Sequence, residues 1–176
     1  GTAIGKLARD GSAVAWSGHG SRVGRAGVCI LAFGWFGCNP GSTLGASGNG
    51  SLRIGSVAVN TMLAGMAGSF GAMLYMWLRY GKPDASMTGN GLLAGLVAIT
   101  APSGFVNPTD ACIIGLIAGV LVCLSVEFVE KVMKRDDPVG AVSVHGPHGT
   151  AGVVAVGLVA GGESQQGGSG YVGAGR

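Results

Sequence analysis

Charged side chains are scarce in this sequence. Only 11% of its 176 residues are Asp, Glu, Lys or Arg, whereas an average soluble domain has roughly 25%. Hydrophobic residues make up 48%, which excludes an intrinsically disordered chain, because disorder requires low hydrophobicity. The 11 Lys and Arg residues are scattered between apolar stretches and form no basic face. We therefore expect no nucleic-acid partner.

Motifs typical of enzymes and metalloproteins are also missing. The sequence contains neither a nucleophile–base constellation nor a phosphate-binding loop, so we predict that it is not an enzyme and needs no cofactor. The 4 cysteines show no CxxC or metal-ligand spacing. Because Cys29, Cys38, Cys112 and Cys123 all lie in apolar windows, we expect inert buried thiols, not disulfides or ligands.

Glycine and long apolar runs are abundant instead. Glycine accounts for 36 residues, about three times the usual share of ~7%. Small residues let membrane helices approach closely. The glycines do not follow a Gly-X-Y period, so the chain is not collagen. Several apolar runs approach the ~20 residues that a bilayer requires. The predicted spans are Ser21–Cys38, Ile54–Leu78, Met87–Phe105, Asp110–Met133 and Pro138–Gly161.

Turn and cap residues agree with these limits. Asn39-Pro40-Gly41-Ser42 is predicted to end the first span, and Gly81-Lys82-Pro83-Asp84 follows the second. Asn107-Pro108-Thr109-Asp110 and Asp136-Asp137-Pro138 are predicted to provide turns and N-caps for the last two spans. The expected fold is all-α.

The cations indicate an orientation in the membrane. Nearly all of them fall in alternate connections, and the other connections contain only Arg53. The positive-inside rule then places the N-terminus inside and the C-terminus outside. Glu127 and Lys131, spaced i,i+4, are expected to form a structural ion pair. The cations in the alternate connections are Lys6, Arg9, Arg22, Arg25, Arg79, Lys82, Lys131, Lys134 and Arg135.

Three regions follow from this pattern. Residues 1–20 are predicted to be a polar loop, residues 21–161 a membrane domain, and residues 162–176 a disordered Gly/Ser-rich tail. The chain begins Gly1-Thr2-Ala3 without a visible signal peptide, so we expect a fragment or a processed piece of a longer protein.

Two histidines stand within the apolar stretch from Val139 to Ala160. Because an ionisable group at membrane depth is costly, His145 is predicted to be functional. His148 follows three residues later and would share a helix face with it. Three alternatives are open for each imidazole. It could line a narrow path, or form a hydrogen bond with a backbone carbonyl across a helix pair. It could also bind a metal, although the sequence shows no third ligand for one. We favour the path for His145 and the carbonyl for His148.

An aromatic-rich helix end precedes the first turn. The segment Phe33–Ser42 is interpreted either as an interfacial aromatic belt or as a vestibule. In a vestibule the Ser42 hydroxyl would accept a hydrogen bond from a small protonated solute, and aromatic faces would add cation–π attraction. Trp35, Cys38 and Asn39 belong to this candidate site, and Thr100 is a polar candidate within the third span.

Together these stretches resemble the ammonium transporter family (Amt/Mep/Rh) from Ile4 to about Ala160. The resemblance implies an eleven-helix membrane fold, of which the five predicted spans match helices six to ten. It also implies a homotrimer with one narrow pore in each subunit. The matching stretches are Gly34–Ser42, Ala58–Thr61, Gly95–Thr100, Lys134–Pro138 and Val144–Gly146.

The same resemblance implies roles for single residues. Ser42 matches the vestibule serine, and His145 matches the second of two pore histidines. Cys38 stands where the family has its second gate phenylalanine. His148 stands where the family commonly has a small residue or cysteine, and Pro147 lies beside it within the helix. The first pore histidine and the first gate phenylalanine belong to a half that these residues do not match.

The expected function is transport of ammonium or ammonia through a narrow apolar pore, by an integral protein of the plasma membrane. The expected partners are ammonium, the lipid bilayer, and either two further copies or longer homologous subunits. Two alternatives remain: a truncated subunit that does not transport and acts as an interaction partner, or an ammonium sensor.

Overall fold

All regular structure in the described part of the chain is helical. The computed structural model describes residues 21–47, 50–135 and 137–159. The helices are α1 (Ser21–Gly41), α2 (Gly50–Tyr80), α3 (Ala85–Thr100), α4 (Pro108–Glu127) and α5 (Ala141–Val159). A π-helical turn, Phe128–Val132, extends α4, and a 3-10 turn, Pro138–Gly140, precedes α5. The all-α prediction is confirmed, while the predicted loop 1–20 and tail 162–176 lie outside the described residues.

Two helix ends differ from the prediction because of proline. Helix α1 does not stop at Cys38 but continues through Pro40 to Gly41, since the fixed φ of proline is compatible with a helix. Helix α3 ends at Thr100, not at Phe105, and is followed by turns. Pro102 has no N–H to continue the ladder there.

The predicted caps are present, with one difference in their bonding. Asn107 occupies the N-cap position of α4 with Pro108 directly after it, but its side chain makes no capping bond. Asp84, predicted only as part of a turn, caps α3 by accepting a hydrogen bond of 2.7 Å from the Met87 amide. An aspartate at this position satisfies one of the free N–H groups of the first turn.

Two described helices are long and apolar enough to cross a membrane. They are Ser51–Tyr80 and Pro108–Val132, with mean hydropathies of 1.4 and 2.6, and the shorter Ala85–Thr100 is also apolar. The two arginines of α1 and the two histidines of α5 reduce the apolar character of these helices.

Helix α2 packs against α3 and α4 with almost no side chain between the backbones. A Cβ atom added at Gly95 or Gly115 would lie 2.2 Å from the Ala64 carbonyl oxygen. One added at Gly68 would lie 2.3 Å from the Gly91 carbonyl oxygen. Such distances require glycine, and close backbone approach is how helices associate where no hydrophobic effect drives them together.

Helix α5 meets α3 in the same manner, but at one point only. A Cβ atom at Gly152 would lie 2.5 Å from the Ala98 carbonyl oxygen, whereas one at Gly146 would meet nothing within 4 Å. The glycines of α5 therefore allow a close contact at Gly152 and leave open space at Gly146.

The end of α4 is tied to the end of α2 by polar side chains. Lys131 and Glu127 form the predicted ion pair at 3.5 Å, so that prediction is confirmed. The Tyr80 hydroxyl donates a hydrogen bond to Glu127, and this contact joins the two helices.

Replacing Gly68 with alanine is expected to destabilise the fold by about 1–3 kcal/mol, because the new methyl group meets backbone atoms that cannot move aside. Gly55→Ala in the same helix is the control, since a Cβ there meets nothing within 4 Å. Thermal unfolding in detergent measures both, and equal melting temperatures would contradict the packing described.

Candidate functional site

Three helices bring together three of the predicted site residues: Trp35 of α1, Thr100 of α3 and His145 of α5. The indole Nε1 of Trp35 donates a hydrogen bond of 2.9 Å to the Thr100 hydroxyl. That hydroxyl donates in turn to the Leu96 carbonyl oxygen at 2.8 Å. The indole ring is thereby held in one orientation.

The imidazole of His145 stacks on this indole. The ring centroids are 6.3 Å apart and the planes differ by 12°, which is an offset parallel arrangement within the usual range for aromatic pairs. His145 is exposed. Within residues 21–47, 50–135 and 137–159 its ring has no hydrogen-bond partner, so a donor and an acceptor remain available to a solute.

His148 has a different environment. Its side chain is fully buried. Its Nδ1 lies 2.9 Å from the Val144 carbonyl oxygen and its Nε2 lies 3.0 Å from the Ala118 carbonyl oxygen of α4. The predicted bond to a carbonyl across a helix pair is present. His145, three residues earlier and about 60° away around the helix, is exposed, so the two rings have different surroundings.

The start of α5 is held by a buried carboxylate. Asp137 accepts hydrogen bonds from the Val142 amide at 2.8 Å, the Ser143 amide at 2.9 Å and the Ser143 hydroxyl at 2.6 Å. The predicted cap therefore exists, although it reaches across the 3-10 turn. Asp136 lies outside the described residues.

Positive φ angles at two successive residues make this reach possible. Val139 has φ 55° and Gly140 has φ 73°, and a β-branched residue in the left-handed region is strained by about 1–3 kcal/mol. The Asp137 carboxylate and its three donors compensate for that strain at the start of the helix that carries His145.

Ser42 and Cys38 lie at the end of α1, and both are exposed. The Ser42 hydroxyl donates to the Cys38 carbonyl oxygen at 2.6 Å, which leaves the lone pairs of its oxygen available to accept. The thiol of Cys38 is free and has no aromatic face.

The prediction of four buried thiols was wrong for two of them. Cys29 and Cys38 are exposed, Cys112 is half-buried and Cys123 is buried, all as free thiols. The apolar windows were correctly identified, but α1 lies at the edge of the described bundle, so its apolar residues remain uncovered.

Asn39 does not join the Trp35–Thr100–His145 group. Its side chain is buried and donates to the Thr61 hydroxyl of α2 at 3.2 Å. Its neighbour in this region, Asn60, donates to the Ser103 and Val106 carbonyl oxygens at 2.9 and 2.8 Å. These amides join helices and turns, as expected of polar residues in apolar segments.

The sequence did not point to Ala118 or Leu96, which contribute only carbonyl oxygens. Their part in the site depends on backbone atoms that every residue has. No sequence signal distinguishes them.

Replacing Asp137 with alanine is expected to destabilise α5 by about 1–3 kcal/mol, because the buried Ser143 amide and the part-buried Val142 amide lose their acceptor. Ser143→Ala removes only the hydroxyl donor and should cost less. Hydrogen exchange at the Val142 and Ser143 amides, with thermal unfolding in detergent, measures the effect. Equal losses in the two variants would show that the carboxylate does not cap the helix.

Comparison with known proteins supports a single family. The sequence model of the Ammonium Transporter Family matches residues 3–175. Ammonium transporter Amt2 of Archaeoglobus fulgidus is 48% identical over 162 residues, which are 92% of this chain and 34% of that protein. The chain thus spans about a third of the length of the curated relatives it matches.

Solved structures agree in fold. A structure described as a sensor Amt protein superposes with a TM-score of 0.82 at 39% identity, covering 88% of this chain and 37% of the other. Mep2 of Candida albicans superposes with a TM-score of 0.74 at 31% identity, covering 81% of this chain and 30% of the other.

Proposed function

This chain belongs to the ammonium transporter family, and from that premise we propose that it forms one side of a transmembrane path for ammonium or ammonia. The observation that carries the proposal is the exposed imidazole of His145, stacked on an indole that is itself held by Thr100. Family membership assigns the chain to transport proteins and not to enzymes.

Recruitment begins at the end of α1. An ammonium ion donates hydrogen bonds and carries a positive charge, so it is attracted to oxygen lone pairs and aromatic faces. Ser42 offers the lone pairs, because its own proton is engaged by the Cys38 carbonyl. Trp35, about two turns earlier in α1, offers the aromatic face.

Desolvation then separates the ion from the neutral molecule. Burying an unpaired cation among apolar groups costs several kcal/mol or more, whereas ammonia needs only hydrogen-bond partners. The ion therefore loses a proton on entering, and the His145 imidazole hydrogen-bonds the neutral species or helps to carry the proton.

The membrane arrangement is part of the proposal. We propose that the described helices span the plasma membrane as a multi-pass domain, with the N-terminal side of α1 inside, in agreement with the alternate placement of cations. Completion of the path requires further helices, supplied by a longer chain or by assembly with longer homologous subunits. The homotrimer of the family resemblance is the proposed assembly.

A second candidate function is ammonium sensing. It is favoured by the likeness to a structure described as a sensor Amt protein and by the absence of an aromatic side chain at Cys38. A sensor would bind ammonium without flux. Calorimetric binding of methylammonium by a protein that gives no flux in liposomes distinguishes the two functions, and the truncated, non-transporting subunit would show neither.

Flux through reconstituted liposomes tests the role of His145. His145→Ala is expected to lower methylammonium uptake by about 10²-fold, in the range found when a positioned hydrogen-bonding or proton-transfer group is lost. His148→Ala is the comparison and should cost less, because its ring is buried against α4 and does not meet the solute. Equal losses in the two variants would contradict these assignments.

Cys38 offers a test of the entrance. If Cys38 leaves the path wider than an aromatic gate would, Cys38→Phe should lower methylammonium flux more than ammonium flux, because the larger solute must pass the added ring. The ratio of the two uptake rates measures this selectivity, with Cys29→Phe as the control on the same helix. An unchanged ratio in Cys38→Phe would place Cys38 outside the path.

A further inference from the structure

We infer that His148 is a positioning residue, which holds His145 against Trp35 through a hydrogen bond from its Nε2 to the Ala118 carbonyl oxygen. The functional consequence rests on the role proposed for His145, whereas the positioning itself is a statement about geometry. His148 touches neither Trp35 nor the exposed face of His145, so it acts through the helix that both histidines share.

The contacts of the ring indicate which nitrogen carries the proton. Both ring nitrogens lie within 3.0 Å of carbonyl oxygens, but a neutral imidazole donates from only one. The contact with Val144 is made within one helical turn, so the covalent chain maintains it with or without a hydrogen bond. The contact with Ala118 joins two helices, so we assign the proton to Nε2, where the hydrogen bond adds to the packing of α4 against α5.

The turn that carries His145 needs such support. Pro147 lies inside α5 and has no N–H to donate to the Ser143 carbonyl, which weakens the helix between the two histidines. On the same turn a Cβ at Gly146 would meet nothing within 4 Å, so no neighbouring helix packs closely there. The nearest close approach of the α5 backbone to another backbone is at Gly152, against the Ala98 carbonyl, while Val144 packs its side chain into the core.

Two side chains hold this weakened turn at its ends. On the N-terminal side of His145, the Asp137 carboxylate accepts hydrogen bonds from the amides of Val142 and Ser143. On its C-terminal side, the His148 ring contacts the Ala118 carbonyl oxygen of α4. Without the hydrogen bond from His148, α5 can rotate slightly at this turn, within the limits set by the buried Val144 and Gly152. A rotation of about 20° moves side-chain atoms that lie some 6 Å from the axis by roughly 2 Å, enough to separate the stacked rings.

A pair of substitutions separates the two ring contacts. The amide nitrogen of glutamine lies close to the position of Nε2, and that of asparagine lies close to the position of Nδ1. His148→Gln therefore retains a donor toward Ala118, whereas His148→Asn retains one only toward Val144. His148→Met fills similar space without a donor and is the packing control.

The emission of Trp35 reports the stacking directly. In the chain with Trp16 and Trp77 replaced by phenylalanine, Trp35 is the remaining indole. A protonated imidazole in contact with an indole quenches its fluorescence, so quenching by acid that requires His145 reports the contact between the two rings. His145→Asn defines the signal without quenching, and far-UV circular dichroism confirms that each variant is helical.

We expect His148→Gln to retain most of the acid quenching, and His148→Asn and His148→Met to lose at least half of it while remaining helical. Equal quenching in the Gln and Asn variants, or full quenching in the Met variant, would overturn the inference. Nitrogen NMR of the histidine-labelled parent protein gives a second test that does not depend on the variants. A neutral ring protonated on Nδ1 would also overturn it.

Failure of this inference is distinguishable from failure of the proposed function. Fluorescence and NMR need no transport, so a positive result with no methylammonium flux would support the positioning and reject the transport. If flux is present, it should follow the same order, with His148→Gln above His148→Asn. Flux that depends on His145 but is equal in these two variants would support the transport and reject the positioning.

Discussion

The structure depends on the close approach of the α2 backbone to α3 and α4. At Ala64 and Gly68 the carbonyl oxygens of α2 lie where a neighbouring residue has no room for a Cβ atom. Packing of this kind does not require the hydrophobic effect, which is weak between helices surrounded by lipid. It also explains the abundance of glycine. Once these three helices are fixed, α5 is seated on α3 at Gly152, and α1 rests at the edge with Trp35 directed to Thr100.

The polar groups within these apolar helices fall into two classes. Most make hydrogen bonds within the bundle: Asp137 accepts from three donors, the Asn60 amide nitrogen donates to two carbonyl oxygens, and the His148 ring contacts two carbonyl oxygens. Such pairing is what a low-dielectric environment requires. His145 is different, because its ring is stacked but has no hydrogen-bond partner in the described part of the chain. An unsatisfied imidazole beside a held indole is the arrangement expected of a group that binds a passing solute.

Much of the fold could be predicted from the sequence, because each helix requires an apolar run and the runs are separated by turn and cap residues. The errors were local. Pro40 was taken as the end of α1 although proline fits within a helix, and Pro102 was overlooked as the end of α3. The burial of Cys29 and Cys38 was mispredicted, since an apolar window shows that a helix seeks an apolar environment but not whether protein supplies it.

The sequence by itself determined the all-α class, the family, the cap at Asp137 and the choice of His145 as the central candidate. Only the tertiary structure decided which histidine is free and which is engaged. Spacing on a helix defines the angle between two side chains but not what lies opposite each of them. The partner of His148 is a carbonyl oxygen 30 residues away, and Trp35 meets a hydroxyl 65 residues away. Those neighbours were set by how closely the glycine-bearing helices pack, which is a property of the assembled helices and of no single segment.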